Sequence, residues 1–404
     1  IAGAKRQKGD RMKILLVGGG GREHAIALTL LKDPRVKKLW CAPGNGGISE
    51  IAECVPLKAT DIDGICEFSK LVRPDLVVVA PDDPLVLGMV DALESIGIRA
   101  FGPNKAAALI EGSKSFAKNL MKKYNIPTAR YAIFDNLEKA ENYVREQGAP
   151  IVIKADGLAL GKGVIVAKSE DEALFALKSA MSDRVFGAAG ARVVIEECLY
   201  GVEVSVLCLT DGETILPMVS AQDHKRAFDN DEGPNTGGMG AISPSPYYTP
   251  EIAARCYREI FVPTINAMKA EGRVFKGILY FGLILTKDGP KVIEYNCRFG
   301  DPEAQVVLPR LKTSLLDLML AAIDGDLSII NMVWTADAAA CVVLASGGYP
   351  VSYKKGYEIK GLLVADTRGA IVFHAGTKNE NGKLVTAGGR VLGVTALGKT
   401  LDRA

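Results

Sequence analysis

Ile151-Val-Ile-Lys-Ala-Asp-Gly-Leu-Ala-Leu-Gly-Lys-Gly-Val-Ile-Val-Ala167 is the stretch that decides the fold. Its glycine-rich centre, Gly157 to Gly163, lies between two β-branched apolar runs that read as strands. The loop is not a Walker A P-loop. Its spacing is one residue short of G-x-x-x-x-G-K, and Gly163 stands where Ser or Thr would hold Mg2+. A P-loop must also enter a helix whose N-terminus faces the phosphate, whereas this chain turns back into a strand. Two readings remain. A glycine-rich hairpin can lie over a triphosphate as a movable flap, with Lys154 on the strand supplying a cation, or its glycines only make a surface turn.

Downstream, Val292-Ile-Glu-Tyr-Asn-Cys-Arg-Phe-Gly-Asp-Pro-Glu303 reads as a strand and a turn. Side chains two apart share a strand face, so Glu294 and Asn296 present two hard oxygen donors suited to Mg2+ or Mn2+, with coordination sites left for water and phosphate. Arg298 follows where the strand should end, and a fixed guanidinium there can neutralise a phosphoryl or acyl group in transit. The alternative is a polar strand edge. Between the two segments, Ala191 to Glu203 reads as strand, connector, strand. The backbone of Glu197 to Leu199 offers the donor and acceptor that an adenine edge needs, and Glu203 a carboxylate for ribose hydroxyls; a solvated strand end reads equally from the same residues. Lys114 opens a helix after Glu111-Gly-Ser.

Upstream, strands and helices alternate from Met12, as in a doubly wound parallel sheet. The turn Gly18-Gly-Gly-Gly21 is a poor dinucleotide fingerprint, because the third glycine of G-x-G-x-x-G falls on Glu23 or His24. A single-phosphate site at the helix N-terminus and a purely structural turn both remain open. Residues 1–11 are basic, lack an apolar h-region and read as a non-native remnant before Met12.

Composition excludes other classes. The chain is 404 residues, 48% hydrophobic and 24% charged, enough for two or three cores. A formal net charge of +2 gives no electrostatic case for nucleic acid or a membrane as partner. The eight cysteines form no C-x-x-C pair and sit mostly in apolar runs, as expected of buried thiols in the cytoplasm. Three histidines make a His-rich metal site improbable, and no apolar run spans a bilayer.

A helix lysine, a strand lysine with a glycine-rich hairpin, a Glu-Glu-x-Leu connector and an E-x-N strand, in that order, resemble the ATP-grasp fold. Gln222-Asp-His-Lys-Arg-Ala-Phe-Asp-Asn-Asp-Glu-Gly-Pro-Asn-Thr-Gly-Gly-Met-Gly240 is too polar and glycine-rich for a core, and its alternating charges suit a loop that holds a zwitterion or phosphate. With Gly18 to His24, Ala42-Pro-Gly-Asn-Gly46, Lys154 to Gly163 and Asn296 to Glu303, it is similar to the glycinamide ribonucleotide synthetase family of purine biosynthesis. The similarity covers the chain from Met12 onward. Ile242 stands where the family commonly has an aromatic, and the family usually continues past Ala404 into a closing helix.

The resemblance implies a multidomain α/β and α+β chain. Expected are a Rossmann-like doubly wound domain at 12–115, an ATP-grasp domain at 116–325 with a lid at about 126–195, and a small β-rich domain at 326–404. It implies ATP-dependent ligation of glycine to 5-phosphoribosylamine through glycyl phosphate, by a cytoplasmic monomer with only small-molecule partners. ATP would be held by Lys114, Lys154, Gly161, Lys162, Gly163, Glu196, Glu197, Leu199 and Glu203, and Mg2+ or Mn2+ by Glu294 and Asn296. Arg298, Asp223 and Lys225 would be catalytic. Gly19, Gly20, Gly21, Asn45, Gly46 and Arg226 would join those three in binding glycine and phosphoribosylamine. Another carboxylate-amine ligase of the same superfamily would need a different loop at Asp223 to Gly240, and an NAD(P) oxidoreductase follows only from the first hundred residues.

Overall fold

The computed structural model describes residues 11–158, 163–362 and 369–404, so Gly161 and Lys162 lie outside the described residues. Met12–Gly18 is the centre of a five-stranded parallel sheet. Val36–Pro43 and Glu53–Cys54 lie on one side, Leu76–Val79 and Ala100–Phe101 on the other. Leu15, Leu16, Val77 and Val78 are buried, which is why these strands carry no polar alternation. The strand order reverses between Met12–Gly18 and Leu76–Val79, and the crevice at such a switch point is where open α/β sheets collect ligands.

Two antiparallel four-stranded sheets follow. One places Val193–Glu197 between Tyr131–Phe134 and Ile151–Ala155, with Val164–Ala167 at the edge. Ile151, Ile153, Val193 and Ile195 face the helices Leu137–Gln147 and Glu170–Leu177, forming a core separate from the two that fill the rest of the molecule. The period of two therefore turns Lys154 to the opposite face. The second sheet runs Ile215–Pro217, Val202–Thr210, Gly277–Thr286, Gly289–Asn296. Its last pairing slips: Gly282 faces Glu294 while Leu283 faces Val292, so Ile293 is an extra residue, a bulge.

The small C-terminal sheet is ordered Gln222–Asp223, Gly240–Ser243, Ala338–Ala345, Arg390–Gly398, Ile371–His374. Its first two strands are the ends of the polar loop. The sheet thus runs across residue 325 and ties that loop to the C-terminal residues. The expected layout of a doubly wound sheet, a two-part central region and a β-rich C-terminal part holds. Among the described residues no helix is long and apolar enough to cross a membrane.

The N-terminal and C-terminal parts join at His24, whose Nδ1 accepts the His374 backbone N–H at 2.8 Å. Burial, with His374 second, pushes the His24 imidazole down to about 3. As pH falls, the unfolded chain takes this proton first. The stabilisation is therefore complete above about 6.5 and is lost progressively toward pH 3. Unfolding free energy should fall by about 2 kcal/mol between pH 7 and pH 5 from this group. His24→Asn keeps an acceptor without the titration, and urea unfolding at both pH values should show a smaller fall by that amount.

Candidate active site

A cleft of about 910 Å³ is bordered by the lid sheet, the second antiparallel sheet and the switch-point crevice. Lys114, Lys154, Gly163, Glu196, Glu197, Leu199, Glu203, Asp223, Lys225, Arg226, Glu294, Asn296 and Arg298 all line it. Residues almost two hundred positions apart in sequence thus share one cleft.

On the lid side, Ser113 caps the helix Lys114–Lys123. Asp156, at the entrance to the glycine-rich segment, accepts from the Ser115 N–H at 2.6 Å, the Ser115 hydroxyl at 2.8 Å and the Ser113 hydroxyl at 3.1 Å. Lys114 Nζ donates to Gly157 O at 2.9 Å. Burial lowers the Lys114 pKa, against the pull of Glu294. Lys154 Nζ donates to the bulged Ile293 O at 3.0 Å and pairs with Glu196 at 2.9 Å. The other Glu196 oxygen pairs with Lys118 at 2.8 Å, so its carboxylate serves two lysines. The Glu197 side chain turns outward to Arg130, and the segment beyond it, through Leu199, links lid strand to body strand along the cleft.

On the body side, the regular pairing beyond the bulge keeps Glu294 and Asn296, two apart, on one face. A Cβ on Gly282 would lie 2.9 Å from Glu294 Cγ, so the glycine makes room for this carboxylate. Burial alone would raise the Glu294 pKa, but Lys225, Lys154, Lys114 and Arg298 outweigh it and hold the group below the usual carboxylate range. The Asn296 amide nitrogen, in the orientation that satisfies its neighbours, donates to Glu111 Oε1 at 2.9 Å, leaving its oxygen as the acceptor. Arg298 pairs with Glu111 at 3.1 Å and lies 3.8 Å from Asp82, while its Nε is buried without a partner.

The polar loop folds as a small hairpin, Arg226–Phe228 with Glu232–Asn235. Lys225 Nζ lies 3.4 Å from Glu203 and 3.7 Å from Glu294. Burial raises the Asp223 carboxyl, with Lys225 opposing and Glu303 and Glu203 adding to the rise. Arg226 donates to Gly233 O at 2.7 Å. Arg390 ties the loop down, donating to Gly237 O and to Asp301 O.

Five residues expected at the acceptor side do not themselves line this cleft, although Arg22, next to Gly21, does. Gly19, Gly20, Gly21, Asn45 and Gly46 are not on the cleft wall. The Asn45 amide nitrogen donates to Gly19 O at 3.0 Å and His374 O at 2.7 Å, and its oxygen accepts from Gly47 and Ile48 N–H groups. Gly46 N–H donates to Thr377 O. Glu23 fills the helix N-terminus by accepting from Gly20 N–H. Sequence reasoning missed Arg22, Asp82, Glu111, Lys118, Asp301, Glu303 and Arg390, which line the cleft. Asp82 had a signal, following a buried parallel strand at its carboxyl end, and so did Lys118, four residues after Lys114 on one helix face.

Two antiparallel subdomains closing on one cleft, with a strand lysine, a linking connector and paired Glu and Asn donors, define an ATP-grasp ligase. The comparisons narrow this. The chain belongs to the phosphoribosylglycinamide synthetase family, matching its N domain over residues 12–111, its ATP-grasp (A) domain over 112–304 and its C domain over 339–404. It is 49% identical over 393 residues to a phosphoribosylamine–glycine ligase of Caldanaerobacter subterraneus subsp. tengcongensis, covering 97% of this chain and 94% of that one. The crystal structure of phosphoribosylamine–glycine ligase from Thermotoga maritima is 32% identical, with a TM-score of 0.84 over 96% of this chain and 93% of that one. An N5-carboxyaminoimidazole ribonucleotide synthetase solved as its ADP complex shares the fold at 18% identity and a TM-score of 0.69, over 97% and 94% of the two chains.

Three bonds on one carboxylate make Asp156 the anchor of the glycine-rich segment. Asp156→Ala should cost about 2–4 kcal/mol of unfolding free energy, since partly buried hydroxyl and amide donors lose a charged acceptor. Urea denaturation measures this, and Asp156→Asn should recover part of it.

Proposed function

We propose that this chain joins glycine to 5-phosphoribosylamine at the expense of ATP, through glycyl phosphate, in the cleft between lid and body. The observation that carries this reading is the convergence on one cleft of Lys114 and Lys154, Glu294 and Asn296, and the Asp223 to Arg226 loop. The first pair suits phosphates, the second a hard cation, and the loop offers both charges that a zwitterion needs.

Glycine's carboxylate attacks the γ-phosphorus of ATP, and the bond to the bridging oxygen breaks to leave ADP. The amine of phosphoribosylamine then attacks the acyl carbon, loses a proton and expels phosphate. No side-chain nucleophile is required, so the protein's task is positioning and charge neutralisation. Lys114 and Lys154 hold the phosphates, and the connector through Leu199 receives the adenine. Asp223 faces the ammonium of glycine and Lys225 its carboxylate. Arg298, with its unpaired Nε, steadies the acyl phosphate. Lid closure keeps water from that hydrolysable intermediate.

Glu294 and Asn296 fit Mg2+ or Mn2+, because both are hard oxygen donors and the surrounding cations keep Glu294 ionised. Among the described residues no group of three or more His, Cys, Asp or Glu converges as a metal cage. Two protein ligands suit an ion that shares its remaining positions with phosphate and water. Such an ion, when bound, screens charge on the transferring phosphoryl group.

The reading requires ADP to form in amounts matched to amide product, with both glycine and phosphoribosylamine present; ADP release independent of glycine overturns it. Glu294→Gln should lower turnover on the order of a hundredfold. Gly282→Ala, which crowds Glu294 without changing charge, should instead raise the Mg2+ concentration for half-maximal rate. Arg298→Lys keeps the charge and loses the planar fork, so kcat for amide formation should fall while ATP affinity stays within about twofold. Steady-state kinetics with each substrate and Mg2+ varied in turn checks all three.

A further inference from the structure

Lys118 has no part in the chemistry set out above, yet it is almost completely buried beside it, at 3% exposure. Its Nζ is 2.8 Å from Glu196 Oε2 and donates to Thr128 Oγ1 at 2.7 Å, while the Thr128 hydroxyl donates to Val292 O at 2.7 Å. The ammonium also lies 5.8 Å from the centroid of the Tyr131 ring. The other Glu196 oxygen holds Lys154 at 2.9 Å. Two lysines thus share one buried carboxylate.

The two lysines are not equivalent. Lys154 is on the lid strand, and its remaining contact is a backbone carbonyl that it can exchange for a phosphate oxygen. Lys118 is pinned on the other oxygen of Glu196 by Thr128, whose backbone bridges Val292 of the strand that carries Glu294 and Asn296. If Lys154 turns toward a triphosphate, Glu196 loses one of its two counter-charges. A buried carboxylate left unpaired is strongly disfavoured, which would set Glu196 against the nucleotide in a contest for Lys154.

We propose that Lys118 is a positioning residue that neutralises Glu196 permanently and so frees Lys154 for the phosphates of ATP. This rests on the reading that Lys154 holds those phosphates. Lys118 touches no reacting atom; its effect passes through Glu196. Removing Lys118 leaves Glu196, among the described residues, with Lys154 as its remaining cation, and the nucleotide must then break that pair. Removing Glu196 as well abolishes the competitor, so the need for Lys118 disappears.

The test is a double-mutant cycle read by calorimetric affinity for a non-hydrolysable ATP analogue with Mg2+ and by steady-state kinetics. Lys118→Met should weaken nucleotide affinity about tenfold, and the apparent KM for ATP with it, leaving KM for glycine and phosphoribosylamine within about twofold. In a Glu196→Gln background the same change should cost less than about twofold. Lys118→Gln keeps a hydrogen-bond donor without the charge, so it follows Lys118→Met in affinity even where the methionine variant folds poorly. Lys118→Arg should retain most of the affinity. An equal loss in both backgrounds would mean that Lys118 contacts the nucleotide itself, and no loss in either would mean a passive packing role; both overturn the proposal. Lys154→Met tests the underlying reading separately: unchanged nucleotide affinity there refutes the phosphate role of Lys154, whatever the cycle reports.

Discussion

Six consecutive peptide units, Val292 to Arg298, hold both halves of the cleft in register. The bulge at Ile293 is the constraint from which the rest follows. It aims one carbonyl at Lys154 of the lid and keeps Glu294 and Asn296 on the cleft face. The preceding carbonyl, of Val292, receives Thr128, where the chain enters the lid. The following N–H, of Cys297, donates to Glu111 at 2.6 Å, locking the strand to the N-terminal part. A regular ladder would return these backbone groups to the sheet and shift the side chains by one face.

Around that strand, charge is balanced before any ligand arrives. Glu294 stays ionised despite burial because four cations surround it, and Lys225 is held protonated because Asp223 and Glu294 outweigh its desolvation. Glu111, more deeply enclosed, shows the opposite outcome: burial raises its pKa although Arg298 opposes. Pairing decides the first case and desolvation the second, as expected where the number of partners differs. A site arranged this way offers exchangeable cations to an incoming polyanion without leaving bare charges in its absence.

What was legible in the sequence were the features carried by local period and spacing. Its place on a strand ahead of a glycine-rich hairpin marked Lys154 as a candidate cation, and the two-residue spacing of Glu294 and Asn296 put them together. The failed Walker spacing before a strand pointed away from a P-loop, and Glu23 at the third-glycine position pointed away from a dinucleotide; that carboxylate caps the helix itself. What was not legible depends on contacts distant in sequence. Nothing near Arg390 indicates that it clamps Gly237, and nothing in Ala42 to Gly46 indicates that the Asn45 amide is saturated by backbone groups from two other segments. Glycine-rich, amide-bearing loops look alike whether they approach a ligand or another stretch of backbone.

The separateness of the lid core determines what lid motion costs. Its buried apolar residues pack among themselves, so rotating the lid exposes little of that core. The side-chain contacts that join lid to body, from Lys154 to Ile293 O, from Lys118 to Thr128 and Glu196, and from Asp156 to Ser113 and Ser115, are polar. Lid and body joined by polar contacts respond to whichever ligand interacts differently with their open and closed arrangements. On the proposed reading, a triphosphate near both Lys154 on the lid and Glu294 on the body would be such a ligand, since its contacts would be complete only when the two sheets approach. On the same reading, glycine or phosphoribosylamine at the loop on the body side would have no equivalent hold on the lid. The order of charge across the cleft would then make the nucleotide the ligand that draws lid and body together.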